Sequence, residues 1–305
     1  MIIVSDPRIA GDLLEHRGAT TASRPPFHIA DVVTGGKTMV LMQNTPTWRR
    51  VRRLAHNLLT REQCAKHLPI QVAEATQVMH DFLNDPEHFS SHIGRYTNSV
   101  ITSIIAGIRS PRRDGKDVMD FFNSVDKWAH LTETGTQPPV DVFPILKYVP
   151  ERWAAWKTSA REVINEPEVQ EKAWREIDRV VGEDRTPVLE DWESLPYVQA
   201  IVKEVFRLRP PLPLAVPHYT TADERVDDYL IPKDTMILVN LWAIGQDPEA
   251  FDSPEAFNPD RFLTSEFGTK PGADDSGRRH DLHFGYGRRF CVGLHLANDS
   301  IVIIS

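Results

Sequence analysis

Apolar residues recur at intervals of three and four along most of this chain and alternate only in short pieces. The helical spacing predicts helices over residues 7–16, 45–59, 61–83, 93–106, 117–131, 167–181 and 196–208. Strand-like runs cover only 2–4, 229–231 and 235–238. The last two flank Pro232-Lys233-Asp234, which predicts a hairpin between them. Helix outweighs strand, so the expected class is mainly α with small β-sheets. The 196–208 pattern stops at Pro210-Pro211, as a helix must. The clearest surface loop is 269–279, by its Gly, Pro, Asp and Ser content. No window near 18 residues is continuously apolar, so no membrane-spanning segment is expected. The start, Met1 to Pro7, is too short an apolar run for a signal peptide and reads as a strand entering a turn.

With 305 residues, 41% hydrophobic and 26% charged, the chain has material for one substantial core or two small ones. A net charge of −8 argues against a nucleic-acid partner, because Trp48-Arg49-Arg50-Val51-Arg52-Arg53 is the only long basic run. The two cysteines, Cys64 and Cys291, are far apart and form no C-x-x-C. That excludes a disulfide scaffold, agrees with a reducing compartment and makes zinc the weaker reading. Cys64 has no special neighbours and reads as packing.

Cys291 is different. It follows Phe284-Gly285-Tyr286-Gly287-Arg288-Arg289-Phe290 and precedes Val292-Gly293 and a helical pattern. Glycines allow tight turns and close approach to a flat ligand. A thiolate near a helix N-terminus is favoured by the dipole, and Arg289 adds a fork of donors suited to a carboxylate. Trp48 and Arg52, four apart, share a helix face and present an indole N–H and a guanidinium. Glu204 and Arg207 also share a face, and they open the series Pro210, Pro213, Pro217-His218. A further arginine follows in Phe257-Asn258-Pro259-Asp260-Arg261-Phe262.

The pattern Phe284-x-x-Gly287-x-Arg289-x-Cys291-x-Gly293 resembles the proximal haem-binding loop of the cytochrome P450 superfamily. Trp48-x-x-x-Arg52 resembles that family's C-helix motif, and Glu204-x-x-Arg207 with Arg261 resembles its Glu-Arg-Arg triad. The resemblance implies haem b with Cys291 as axial thiolate ligand, a ligand that favours O–O cleavage. It implies that Phe284, Gly285, Arg289 and Gly293 shape the cofactor loop, and that Trp48, Arg52, Arg289 and His218 hold propionates. Glu204, Arg207 and Arg261 would be structural, while Leu214, Ala215 and Val216 would form a strand on the substrate side. The reaction implied is insertion of one oxygen atom from O2 into a small organic substrate. Electrons would come from NADPH through a reductase docking near Arg49, Arg50 and Arg53. Residues 220–223 and 267–275 resemble fungal secondary-metabolism members, and the family implies a cytoplasmic or endoplasmic-reticulum-surface location.

Against the family pattern the chain reads as one incomplete cytochrome P450 domain over 1–305. It starts at the first sheet strand, without the anchor, and stops part-way along the helix after Cys291. Residues 144–153 look like the region after the F helix, yet 166–173 already resemble the J helix. The G, H and I helices belong between them. A helix crossing a domain needs ~20 residues for about 30 Å, which residues 158–165 cannot hold. No Ala-Gly-x-Asp/Glu-Thr sequence occurs, so an apparent deletion junction falls near 163–166. The expectation is a monooxygenase by ancestry. Its alternatives are a non-catalytic haem-binding remnant and a fragment that engages the reductase.

Overall fold

Strand β1 (Ile2–Val4) opens the chain in the computed structural model, which describes residues 1–27, 36, 38–116, 118–120, 122, 167–182, 185 and 188–304. Asp6 caps helix α1 (Pro7–Gly11) by accepting the Arg8 N–H at 2.8 Å, with Pro7 in the first turn. The helix predicted over 7–16 continues as a π turn, Asp12–His16, in which Arg17 N–H reaches back five residues to the Asp12 carbonyl. The wider turn goes with burial of both Leu13 and Leu14, which are 0% and 1% exposed. Helix α2 (Gly18–Thr21) follows, then α3 (Pro46–Leu58).

By contacts the chain falls into two units. The first holds residues 1–26, 36–52 and 155–291; the second holds 27–35, 53–154 and 292–305. In the second, α4 (Arg61–Asn84) is capped by Thr60, whose hydroxyl accepts the Gln63 N–H. Helix α5 (Phe89–Ala106) ends on Gly107 in the left-handed conformation. Ala75, Val78, Tyr96 and Val100 form the core between them, joined by Leu296 and Ile303 from the last helix, α10 (Leu294–Ile304). Arg95, fully buried, donates to Glu74 at 2.5 Å, and Arg109 donates to the same carboxylate at 2.6 Å.

In the first unit, α6 (Pro167–Val180) supports α7 (Pro196–Leu208). Helix α7 has no cap of its own; the buried Glu176 carboxylate of α6 accepts the Tyr197 and Val198 N–H groups at 2.8 and 3.0 Å. Strands β2 (His218–Tyr219), β3 (Glu224–Val226), β4 (Tyr229–Ile231) and β5 (Met236–Val239) come next. The three-stranded sheet has the order β1-β5-β2, with β1 parallel and β2 antiparallel to β5. Val4, Leu13, Leu14, Ile237, Val239 and Ile244 fill the core beneath it, Ile244 coming from α8 (Leu241–Gly245).

The hairpin predicted across Pro232-Lys233-Asp234 does not form. β4 pairs with β3 instead, around Asp227 at φ 48°, and β5 pairs with β1 and β2. Asp227 and Asp234 both stand at positive φ, but Pro232 has no ladder donor, so the turn after β4 does not close a hairpin. The helices predicted at 61–83 and 93–106 are each extended, to Asn84 and back to Phe89. Most of the helix predicted at 117–131, the 144–153 segment and the 163–166 junction lie outside the described residues. Among the described residues no helix is long and apolar enough to cross a membrane.

Candidate functional site

The cysteine loop is held from behind. Leu282–Phe284 forms one helical turn, Gly285 turns the chain at φ 91°, and a second turn runs over Gly287–Arg289. Gly287 sits at φ 49° against the Leu14 carbonyl, where any Cβ would overlap the oxygen. Tyr286 is 2% exposed and belongs to the sheet core, with Arg279 over its ring at 4.7 Å. Cys291 N–H closes the loop on the Phe284 carbonyl at 2.8 Å. The loop thereby presents Cys291 exposed and free, while Cys64 is fully buried and burial pushes its thiol up. Gly293, in the second unit, accepts the Ala297 N–H that opens α10.

Around this thiol the first unit gathers cations, and no carboxylate among the described residues pairs with them. The Arg289 guanidinium lies 3.8 Å over the Trp48 ring, with Arg52 also over that ring at 5.5 Å. Arg289 donates to the Ala22 and Met42 carbonyls, both at 2.7 Å, and its remaining Nη1 is buried without a partner. Arg52 donates to the Phe290 carbonyl at 2.5 Å. The Trp48 indole N–H, which the sequence motif directs to a propionate, donates here to Met39 O at 3.1 Å. His218 is buried, with Nδ1 3.2 Å from the Thr21 carbonyl.

Arg24 completes the group, and the sequence reading missed it. It donates to Val40 O, Val216 O and Pro217 O at 2.9, 3.0 and 2.7 Å, beside His218. Its one local signal is the Pro25-Pro26 that follows and holds the chain extended, which says nothing of a partner nearly 200 residues away. Burial, then Arg289 and Arg52, push Arg24 down to about 9. Burial and Arg52 push Arg289 down to about 10. Burial, then Arg24, bring His218 down to about 3. Burial also lowers Arg52, and Cys291 opposes that shift. Buried positive charges that only carbonyl dipoles answer are costly, and they fit an anion supplied from outside.

Glu204, Arg207 and Arg261 come together elsewhere in this unit. Glu204 is fully buried; it accepts two bonds from Arg207, at 2.7 and 2.8 Å, and one from Arg261 of α9 (Arg261–Thr264) at 3.2 Å. The two guanidiniums then bind the carbonyls of Gly245, Asp252, Ser253, Pro254 and Ala256. Leu214, Ala215 and Val216 do not form the strand expected of them. Strand β2 begins only at His218, and Ala215 stands at φ 52°. Pro213 and Pro217 remove ladder donors on either side, leaving the segment irregular.

Comparison with known proteins gives the same family throughout. The cytochrome P450 family pattern matches residues 1–166 and again 160–304. The chain belongs to the cytochrome P450 family. A cytochrome P450 monooxygenase of Armillaria gallica is 41% identical over 371 positions, covering 100% of this chain and 72% of that protein. Cytochrome P450 monooxygenase atE of Aspergillus terreus is 32% identical over 379 positions, covering 99% and 71%. A zebrafish cytochrome P450 structure with progesterone superimposes at TM-score 0.71, 25% identical, covering 99% of this chain and 84% of that one. The family is one of oxidoreductases with a haem cofactor, a redox partner and a small-molecule substrate. The residues fit haem: an exposed thiol stands beside buried cations with an orphaned donor. Among the described residues no cluster of three or more His, Cys, Asp or Glu could hold a bare metal ion.

Proposed function

We propose that this cytochrome P450 chain binds haem b through Cys291, with Arg24, Arg52, Arg289 and His218 answering the two propionates. The observation that carries the reading is a cation group, without a carboxylate partner among the described residues, beside an exposed thiol. Bound there, haem supplies oxygen activation, for insertion of one atom of O2 into a small organic substrate of fungal secondary metabolism. The protein's part is to position the thiol through the Phe284–Gly285 turn and to balance the propionate charge. In this state the donors of Arg24, Arg289 and Trp48 rest on the carbonyls of Met39, Val40 and Met42, which give way to propionate oxygens. Arg49, Arg50 and Arg53 are exposed and unshielded, which suits an acidic NADPH-dependent reductase. The compartment we infer is the cytoplasm or the endoplasmic-reticulum surface.

We also infer that the chain, as written, lacks the segment covering the distal side of the haem, with its junction near 163–166. The family pattern matches in two pieces that meet at 160–166. The Armillaria relative aligns over 371 positions to the 305 residues here, which leaves 66 of them without a counterpart. In the second unit, Leu83 is 83% exposed and Ile105 of α5 is 73% exposed, with Phe89, Ile93 and Ile101 of that same helix also exposed. Such a chain is a haem-binding remnant that does not turn over substrate by itself.

Two experiments test these readings. The ferrous carbon-monoxide complex is expected to show the red-shifted Soret band of a thiolate ligand, lost in Cys291→Ala and kept in Cys64→Ala. An unchanged band in Cys291→Ala sinks the ligand assignment. Reductase-driven product formation is expected only after the missing segment is restored from the gene. Coupled product from the 305-residue chain refutes the second reading.

A further inference from the structure

Resting on the haem reading above, we propose that loading the porphyrin draws one proton from solvent onto Nε2 of His218, making binding proton-linked. The tautomer decides it. His218 Nδ1 lies 3.2 Å from the Thr21 carbonyl, and a carbonyl oxygen only accepts, so Nδ1 carries the hydrogen. A neutral ring then shows a bare lone pair at Nε2. A carboxylate brought to that face meets electron density rather than a donor, and the pair becomes attractive only when Nε2 is protonated.

The surroundings keep the ring neutral until an anion arrives. Arg24, clamped to the carbonyls of Val216 and Pro217 just ahead of His218, and Arg289, clamped to Ala22 next to Thr21, both oppose a third positive charge. The neighbours on the other sides are Ile237 of β5, paired with His218, and Tyr219 on its own strand, both uncharged. No acidic group among the described residues acts on the ring. Two propionates offset the charges of Arg24 and Arg289 and place anionic oxygens beside the ring. The free ring, held down to about 3, is empty of its second proton at neutral pH, and the liganded ring fills it. The balance is one proton from solvent, one new Nε2–H bond, and no change in oxidation state.

The test uses the full chain and metal-free protoporphyrin IX, which cannot take the thiolate. Calorimetric titration near pH 7 in buffers of different ionisation heat is expected to give close to one proton taken up per porphyrin. Affinity is expected to fall about tenfold per pH unit wherever that uptake is complete. His218→Asn and His218→Arg both remove the uptake, the second because its charge is already present. With haem itself, net uptake would be one lower, because the Cys291 thiol would give its proton to solvent on ligating the iron. Tight porphyrin binding without proton uptake by the parent chain, or uptake that survives His218→Asn, overturns the proposal and leaves the haem site standing. Failure of the parent to bind porphyrin or haem at any pH overturns the haem reading, and this inference with it.

Discussion

Two groups of buried and half-buried arginines lie in the same unit and are built on opposite terms. Around Glu204 the chain supplies the counter-charge: one buried carboxylate meets Arg207 and Arg261, and the leftover donors reach carbonyls. Around Trp48 it supplies none among the described residues. Arg24, Arg52 and Arg289 rest on carbonyls alone, and each is pushed below its ordinary range. Arg24 and Arg289 are buried as deeply as Arg207 and Arg261, so burial is not the distinction. A closed ion group fixes one arrangement of the chain. An open one holds unfavourable energy that an external anion would relieve, and on this the propionate assignment proposed above rests.

The comparison breaks most sharply at Glu204. Glu204→Ala leaves two guanidiniums buried without their carboxylate and is expected to cost roughly 3–5 kcal/mol, read from urea unfolding or from loss of soluble protein. An unfolding midpoint equal to the parent's would mean the group is not closed in solution. Arg24→Met should act in the reverse sense. Removing a cation from the open group relieves repulsion, so the haem-free chain is expected to melt no lower than the parent. The same variant is expected to bind haem at least about tenfold more weakly, as loss of a charged hydrogen bond implies. A drop in both quantities would place Arg24 with the structural group instead.

The smallest effect is a slope. His218 is held at about 3 in the fold, below its ordinary value of about 6.5. Between those values the unfolded chain binds a proton that the folded chain refuses. Stability of the haem-free form therefore falls as pH drops through that window, by at most about 1.4 kcal/mol per unit, and is unaffected by this group above it. Denaturation midpoints across pH 4–7 should lose that component in His218→Asn.

What could be read from the sequence was whatever local spacing encodes. Helix α7 matches its predicted limits because Pro196 and Pro210 bracket one apolar stripe. Cys291, Arg289, Trp48 and Arg52 lie in short motifs whose chemistry is visible in isolation. Arg24 was not legible, because its role comes from a fold that brings residue 24 to residues 216 and 217. The pairing of β4 failed for a related reason: three residues per strand carry too little pattern to choose between partners. The irregular 214–217 segment was read as strand from its apolar side chains, while its prolines govern its backbone.

One consequence of the Glu204 group concerns time rather than position. The segment from Asp252 to Ala256 has no regular secondary structure, yet four of its carbonyls are gripped by Arg207 and Arg261, and Asn258 N–H is gripped by Glu204 at 2.8 Å. A loop bound in this way cannot fray residue by residue. It opens only when the ion group dissociates as a whole, so its amide hydrogens should exchange with deuterium together and as slowly as those of helix α7. The slowest-exchanging coil in the chain would then mark where unfolding of this unit has to begin.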